Sequence, residues 1–379
     1  MRLNASRPGL NVGIVGCGEV ADAYAEDIDS YPELHLDGVF DLVPARADAI
    51  ASRFRCRAYE SLEALLAEDG IDIVLNLTPF QAHKQVTQAC LLAGKHVYSE
   101  KPLALTFDEV RALIELAERR VLLLACAPCP LLGEAQHTAG SIIRQGQLGT
   151  IRLVTAEAHG GRIESWHPSP ESFYDVGPLW DIAVYPLTLV TALLGPARRV
   201  FAAGKKLGLS RQTLDSRPIT VRSSDLIVAA IELEGGPLLR LTTTFYLPRH
   251  GPGRAGVEFH GDDGSLYLED WQLLDAGVEL LLREMDPRAV PLVRQPERSI
   301  EYGRGLRDLA SAVIDGRRPA ASSDQAAHVV EIVQALTRSI ELEIPVPIHS
   351  GFSAPPASTG PPSNIGLDSH RPPNIATRG

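Results

Sequence analysis

The apolar run Val12-Gly13-Ile14-Val15 passes at once into Gly16-Cys17-Gly18-Glu19-Val20-Ala21 and then into a helical pattern. A strand that turns so sharply into a helix constrains the fold more than any other feature of the chain. Gly16 permits the tight turn, Gly18 lets an anion approach the backbone closely, and Ala21 stands where a small residue packs helix on strand. The positive end of the helix dipole then faces whatever the turn holds.

The alternation continues to about residue 125. Strands are expected at Val12–Val15, Leu36–Phe40, Ile71–Leu77, His96–Ser99 and Val121–Ala125, with helices at Val20–Ile28, Ala45–Phe54, Leu62–Ala67, Gln81–Leu92 and Phe107–Arg119. Thr106 and Glu109 form a capping box before the last helix. Such repetition predicts an α/β, doubly wound parallel sheet with helices on both faces. Asp41 closes the second strand about twenty residues beyond the glycine turn, where an acid takes the ribose hydroxyls of an adenosine and repels a 2′-phosphate. Gly16, Gly18, Glu19 and Val20 are thus candidates for a dinucleotide cradle, with NAD favoured. Arg46 lies near enough to keep NADP open, and FAD uses the same turn.

Beyond Pro130 the pattern changes. A helix at Gly133–Arg144 precedes segments of period two at Ile151–Ala158, Leu226–Leu233, Leu238–Phe245, Gly256–His260 and Ser265–Leu268, with turns at Gly235-Gly236 and Asp263-Gly264. Helices at Gly305–Ile314 and Gln325–Glu341, the latter with Asp324 as its cap, lead to a short strand at Pro345–Ile348. This predicts an α+β region with an open, mostly antiparallel sheet. The expected organisation is an N-terminal extension over 1–10, a dinucleotide-binding domain over 11–127, a substrate and oligomerisation domain over 128–349, and a disordered tail over 350–379 rich in Pro, Ser and Gly.

With a net charge of −11 and no stripe of Lys and Arg, the chain carries no nucleic-acid footprint. No apolar stretch approaches the ~18 residues that span a bilayer. The polar start lacks a secretory core, so a cytoplasmic protein without membrane contact is expected. Cys126-Ala127-Pro128-Cys129 has dithiol spacing, but Cys17, Cys56 and Cys90 lie in unrelated segments, and these cysteines read as buried small thiols. No metal is expected.

Two further segments carry chemistry. Thr78-Pro79 follows the third main strand, with His83 just inside the next helix, and Glu100-Lys101-Pro102 follows the fourth. Both lie at the carboxyl ends of parallel strands, where ligands bind in such sheets. The set Val15-Gly16-Cys17-Gly18, Leu77-Thr78-Pro79 with His83, and Ala93-Gly94-Lys95-His96-Val97 followed by Glu100-Lys101-Pro102-Leu103 resembles the Gfo/Idh/MocA family of sugar and cyclitol oxidoreductases. The likeness runs from about Asn11 to about Ser350. It implies a Rossmann domain followed by an α/β domain whose open sheet face forms a homodimer or homotetramer. It also implies a catalytic Lys101, Glu100 near the nicotinamide ribose, and a cis peptide before Pro102.

The family's second motif, Asp-x-Gly-x-His, is matched by Asp181-Ile182-Ala183-Val184-Tyr185, with alanine for the middle glycine and tyrosine for the histidine. Spacing of i, i+4 puts Asp181 and Tyr185 on one helical face. Pro186 should kink or restart that helix. Oxidising an alcohol requires a group that takes the hydroxyl proton. A free phenol, with a pKa of ~10, needs a neighbouring ammonium to lower it. The expected roles are Tyr185 as acid–base, Lys101 as its electrostatic partner and holder of the substrate oxygen, and Asp181 as orienter; exchange of the first two roles is nearly as good. In Arg162-Ile163-Glu164-Ser165-Trp166-His167-Pro168, Trp166 and His167 are candidates to hold a sugar, or the segment is an Ω-like loop at a subunit contact. The expected reaction is hydride transfer between NAD(P) and a sugar, cyclitol or polyol. Redox-neutral epimerisation or glycoside elimination, and a non-enzymatic dinucleotide sensor, are the alternatives.

Overall fold

The computed structural model describes residues 9–208, 210–248, 256–283 and 285–353. Its first third alternates β1 (Leu10–Val15), α1 (Ala21–Ser30), β2 (Leu34–Phe40), α2 (Pro44–Phe54), β3 (Arg57–Ala58), α3 (Leu62–Leu66), β4 (Ile73–Asn76), α4 (His83–Leu92), β5 (His96–Ser99), α5 (Phe107–Arg120) and β6 (Leu124–Cys126). All six strands are parallel, in the order β3-β2-β1-β4-β5-β6. β1 and β4 are buried along their whole length because helices cover both faces. Strand order reverses between β1 and β4, and their carboxyl ends open the crevice that positions the site. The Thr106 hydroxyl caps α5 by accepting from the Glu109 N–H at 3.3 Å.

The remainder contains α6 (Glu134–Arg144), β7 (Ile151–His159), α7 (Glu171–Val176), α8 (Val184–Leu194), β8 (Ala197–Lys205), β9 (Leu226–Leu233), β10 (Leu238–Thr244), β11 (Gly256–Gly261), β12 (Gly264–Leu268), β13 (Val278–Leu282), β14 (Arg288–Ala289), α9 (Arg304–Asp315), α10 (Ser323–Leu342) and β15 (Val346–Pro347). The second sheet runs β14-β13-β12-β11-β7-β10-β9-β8-β15. Only β7 and β10 pair in parallel; the other neighbours are antiparallel. One face packs on α6, α8 and α10 around Val154, Ala156, Leu187, Leu239 and Ile332. The other face presents Phe201, Val228, Leu238 and Leu281 outward.

Several local expectations change. β8 went unread because its inward residues include small Ala197 and Ala202, while Arg198, Arg199 and Phe201 point out. The cap of α10 is Ser322 rather than Asp324: the hydroxyl of this extended residue accepts the Asp324 N–H at 3.2 Å, so the helix starts earlier. The N-terminal extension stops short of Leu10, which is buried and opens β1. Most of the expected tail, 354–379, lies outside the described residues, as do 1–8. Its beginning rests on α10, with Ser350 Oγ 2.7 Å from His328 Nδ1. Finally, α9 leaves the second sheet and packs on β5 and β6, burying Leu306, Leu309 and Ala310 in the same core as Tyr24 and Ile28 of α1. The halves are therefore joined by a shared core as well as by the chain. No helix among the described residues is long and apolar enough to cross a membrane.

Candidate functional site

The glycine turn sits at the end of β1. Gly16 has φ +95°, and a Cβ there would lie 2.7 Å from the Leu77 carbonyl, so two strand ends approach too closely for any side chain. Gly18 has open space on its bare side. The Asp41 carboxylate accepts the Cys17 N–H at 2.7 Å on one oxygen and the Val43 N–H at 2.7 Å on the other. Each oxygen keeps a lone pair for a hydroxyl, and the group cannot swing away. Beside it the apolar Leu42 side chain is 89% exposed. Glu19 and Val20 follow the turn, and Arg46 lies exposed in the first turn of α2. An open, backbone-lined turn with a fixed acid beyond it fits a dinucleotide.

Thr78 and Pro79 extend β4 into the crevice, and Thr78 Oγ1 donates to Asn76 Oδ1 at 2.7 Å. His83 is buried, and its ring joins two loops: Nδ1 lies 2.6 Å from the Pro102 carbonyl and Nε2 2.7 Å from that of Thr78. It therefore reaches the cradle through the loops it ties together. Burial lowers its pKa, against the pull of the two carbonyls.

Glu100 and Lys101 follow β5. Glu100 accepts from Tyr24 Oη at 2.7 Å and from the Lys101 N–H at 3.0 Å. The Lys101-Pro102 peptide is cis, as is Ala127-Pro128. The Lys101 ammonium donates to the Asp181 carbonyl at 2.5 Å and to its carboxylate at 3.0 Å, and lies 5.2 Å from the centre of the Tyr185 ring. Residues 179–183 form a wide π turn that runs into α8, and Pro186, which has no N–H to return to that turn, sits at the junction. Asp181 and Tyr185 thus reach Lys101 from successive turns. Burial works against the Lys101 charge, but Asp181, Tyr185 and Glu100 hold its pKa above the usual lysine value. The expected lowering of the Tyr185 pKa does not occur. Burial pushes the phenol up to about 12, outweighing the downward pull of Lys101, with Glu100 and Asp181 adding to the rise.

Trp166 and His167 pack edge to face with ring centroids 5.3 Å apart, yet each has a different outer neighbour. Trp166 faces the cavity that holds Tyr185. His167 accepts the Ser169 N–H on Nδ1 at 2.9 Å, which leaves Nε2 as the donor 3.4 Å from Glu19, beside the glycine turn. Beneath them Glu164, 7% exposed, accepts from Arg162 at 2.8 Å, Arg211 at 3.0 Å and Tyr174, while buried Arg211 also donates to Asp225 at 2.8 Å. This ionic knot fixes the loop and is not legible in the sequence, because Arg211 and Asp225, which complete it, lie far along the chain from Arg162 and Glu164.

A cavity of about 710 Å³ opens beside Asp181 and Tyr185, with Trp166, Tyr246, Trp271 and Tyr302 in its wall. A smaller one of about 170 Å³ lies on the far side of Asp181, lined by Pro79, Lys101 and Trp180. Trp271 was missed; its ring packs on that of Tyr185 with centroids 4.9 Å apart. A signal was available, since the chain has three tryptophans and each of them lines one of these two cavities. Burial pushes the Cys126 and Cys129 thiols well above the usual range, the opposite of the lowered pKa that marks a reactive redox thiol. Among the described residues no group of three or more His, Cys, Asp or Glu side chains could hold a metal ion.

Residues 10–127 match the oxidoreductase family with an NAD-binding Rossmann fold, and residues 137–267 match the GFO/IDH/MocA C-terminal domain. The chain is 30% identical over 287 residues to a dTDP-3,4-didehydro-2,6-dideoxy-α-D-glucose 3-reductase of Streptomyces violaceoruber, covering 72% of this chain and 77% of that protein. It is 28% identical to the D-glucoside 3-dehydrogenase of Escherichia coli, over 68% and 77% of the two chains. Its fold superposes on levoglucosan dehydrogenase in complex with NADH and levoglucosan with a TM-score of 0.77, at 22% identity, over 90% and 99% of the chains.

Proposed function

The chain belongs to the Gfo/Idh/MocA oxidoreductase family, and on that footing we propose that it moves a hydride between a nicotinamide cofactor and a ring hydroxyl or ketone of a sugar, cyclitol or related polyol. The observation that carries this reading is the Lys101 ammonium held by Asp181 against the Tyr185 ring, at the wall between two cavities. When bound, the dinucleotide supplies the hydride acceptor or donor. Gly16, Gly18, Glu19 and Val20 would hold its diphosphate and Asp41 its adenosine ribose, an arrangement that favours NAD over NADP. Thr78, Pro79 and Glu100 would flank its other end.

The chain's own part is proton management. Lys101 holds the substrate oxygen and stabilises negative charge as the hydroxyl proton leaves. Tyr185 exchanges that proton with the oxygen, and Asp181 orients Lys101. A phenol near 12 is protonated at neutral pH, so the ligand-free site is poised to donate a proton to a ketone. Relatives named as acting at position 3 of a hexose ring support a secondary ring hydroxyl as the reacting group. The setting is read as cytoplasmic. The outward face of the second sheet, with Phe201, Val228 and Leu281 exposed, suits a homodimer or homotetramer, which light scattering would test.

The direct test is a panel of sugars and cyclitols incubated separately with NAD and NADP, followed by absorbance of the reduced cofactor and by product analysis. Net cofactor reduction supports the proposal. Product formed without net cofactor change would assign the redox-neutral alternative.

A further inference from the structure

The cavity beside Tyr185 is larger than one sugar ring requires. Its volume of about 710 Å³ is in the range that accommodates drug-sized ligands. Its wall changes character with depth. At the floor, Trp271 is 1% exposed and packs on Tyr185. At the mouth, Trp166 is 55% exposed, Tyr246 47% and Ile300 37%. Large apolar side chains gathered at one rim of a reactive cleft mark a binding surface, whereas single exposed hydrophobics scattered over a protein do not. The mouth is also rigid on one side, because the loop carrying Trp166 is tied down by Glu164, Arg162, Arg211 and Tyr174. A platform fixed in advance loses little freedom when a ring stacks on it.

Charge narrows the occupant. Among the described residues of the wall, the charged ones are Arg162 and Asp181. Arg162 is engaged by Glu164 at 2.8 Å and by the Ser210 carbonyl at 3.3 Å, and Asp181 by Lys101. The described mouth thus offers flat apolar surface and no uncommitted cation for a diphosphate. We propose that it is an aglycone subsite: the enzyme takes glycosides whose sugar ring enters toward Tyr185 and whose uncharged aromatic aglycone stacks on Trp166 and Tyr246. This rests on the reading of Tyr185 and Lys101 as the site of sugar oxidation.

The test compares matched phenyl and methyl glycosides, with a uridine diphosphate sugar as the charged competitor, in kinetics and in calorimetric binding to the enzyme loaded with reduced cofactor. Phenyl glycosides should bind about tenfold more tightly than methyl glycosides, the gain expected from one desolvated aromatic contact. The substitution W166A should bring the ratio toward one, and W166F should keep part of it. Equal affinity for phenyl and methyl partners, a ratio that W166A leaves intact, or preference for the nucleotide sugar would each overturn the subsite. If phenyl glycosides bind with the expected preference and no sugar is oxidised, the subsite stands and the redox reading fails.

Discussion

The two ligand regions of this molecule are built from different materials. The dinucleotide cradle is made of backbone: a φ of +95° at Gly16, the bare side of Gly18, and two N–H groups that fix the Asp41 carboxylate. The cavity proposed for the sugar is made of side chains that arrive on α8 and on separate loops, with Trp166, Tyr185, Tyr246, Trp271 and Tyr302 drawn from across the second half of the chain. A diphosphate is constant across substrates, so one rigid turn serves every member of a family that uses it. Sugars differ, and side chains on loops can be exchanged without rebuilding the sheet. Lys101 and Asp181 sit where these two constructions meet.

The sharpest way to separate the halves is to remove the group between them. Lys101→Met should lower turnover by about a thousandfold or more, the scale of losing a charged contact to the reacting oxygen. Affinity for the reduced cofactor, measured by fluorescence titration, should stay within a few fold. Loss of cofactor binding instead would place Lys101 in the cradle.

Breaking the backbone half alone calls for Gly16→Ala. Its Cβ would meet the Leu77 carbonyl in a backbone conformation that alanine resists. Strain of roughly 1–3 kcal/mol should weaken cofactor binding by up to about a hundredfold. Sugar affinity should change little if the halves are as independent as their materials suggest.

The substrate half also rests on a buried neutral histidine. His328 Nε2 accepts the Ala197 N–H at 2.8 Å, and burial pulls its pKa down to about 4. The unfolded chain takes up this proton first as pH falls, so stability is lost from about pH 6.5 down to about 4 and is level below that. The loss should reach roughly 3 kcal/mol. Urea unfolding across that window should show a slope in the wild type that is shallower in His328→Gln by about this amount, the remainder coming from other buried histidines such as His83 and His96.

The smallest effect concerns cofactor choice. Asp41→Ser should shift the ratio of NAD to NADP efficiency by about tenfold toward NADP, since it removes a carboxylate that would repel a 2′-phosphate. An unchanged ratio would mean that Arg46 or another group sets the preference.

The same contrast explains what could be read in advance. The parallel sheet, the turn at Gly16 and the acid at Asp41 follow from local spacing, because backbone conformation is written in neighbouring residues. Lys101, Asp181 and Tyr185 were found through motif likeness, and the structure brings all three together. What local spacing could not convey was the environment. Burial among Trp271, Glu100 and Asp181 raises the Tyr185 pKa where the lysine alone would lower it. Trp271, Tyr246 and the Arg211–Glu164 pair stayed hidden, since tertiary contact rather than sequence proximity gives them a place.

The central claim is that Lys101 and Tyr185 manage the substrate proton together. It is tested most directly by the pH dependence of kcat/KM for sugar oxidation, in the wild type and in Tyr185→Phe. The wild-type rate should rise by roughly tenfold per pH unit through neutral pH, as expected when the working base is a phenol far from its pKa. Tyr185→Phe should lose that dependence, together with about a hundredfold or more of the rate, while still binding the reduced cofactor. A Tyr185→Phe enzyme that kept the wild-type rate and pH profile would contradict the account.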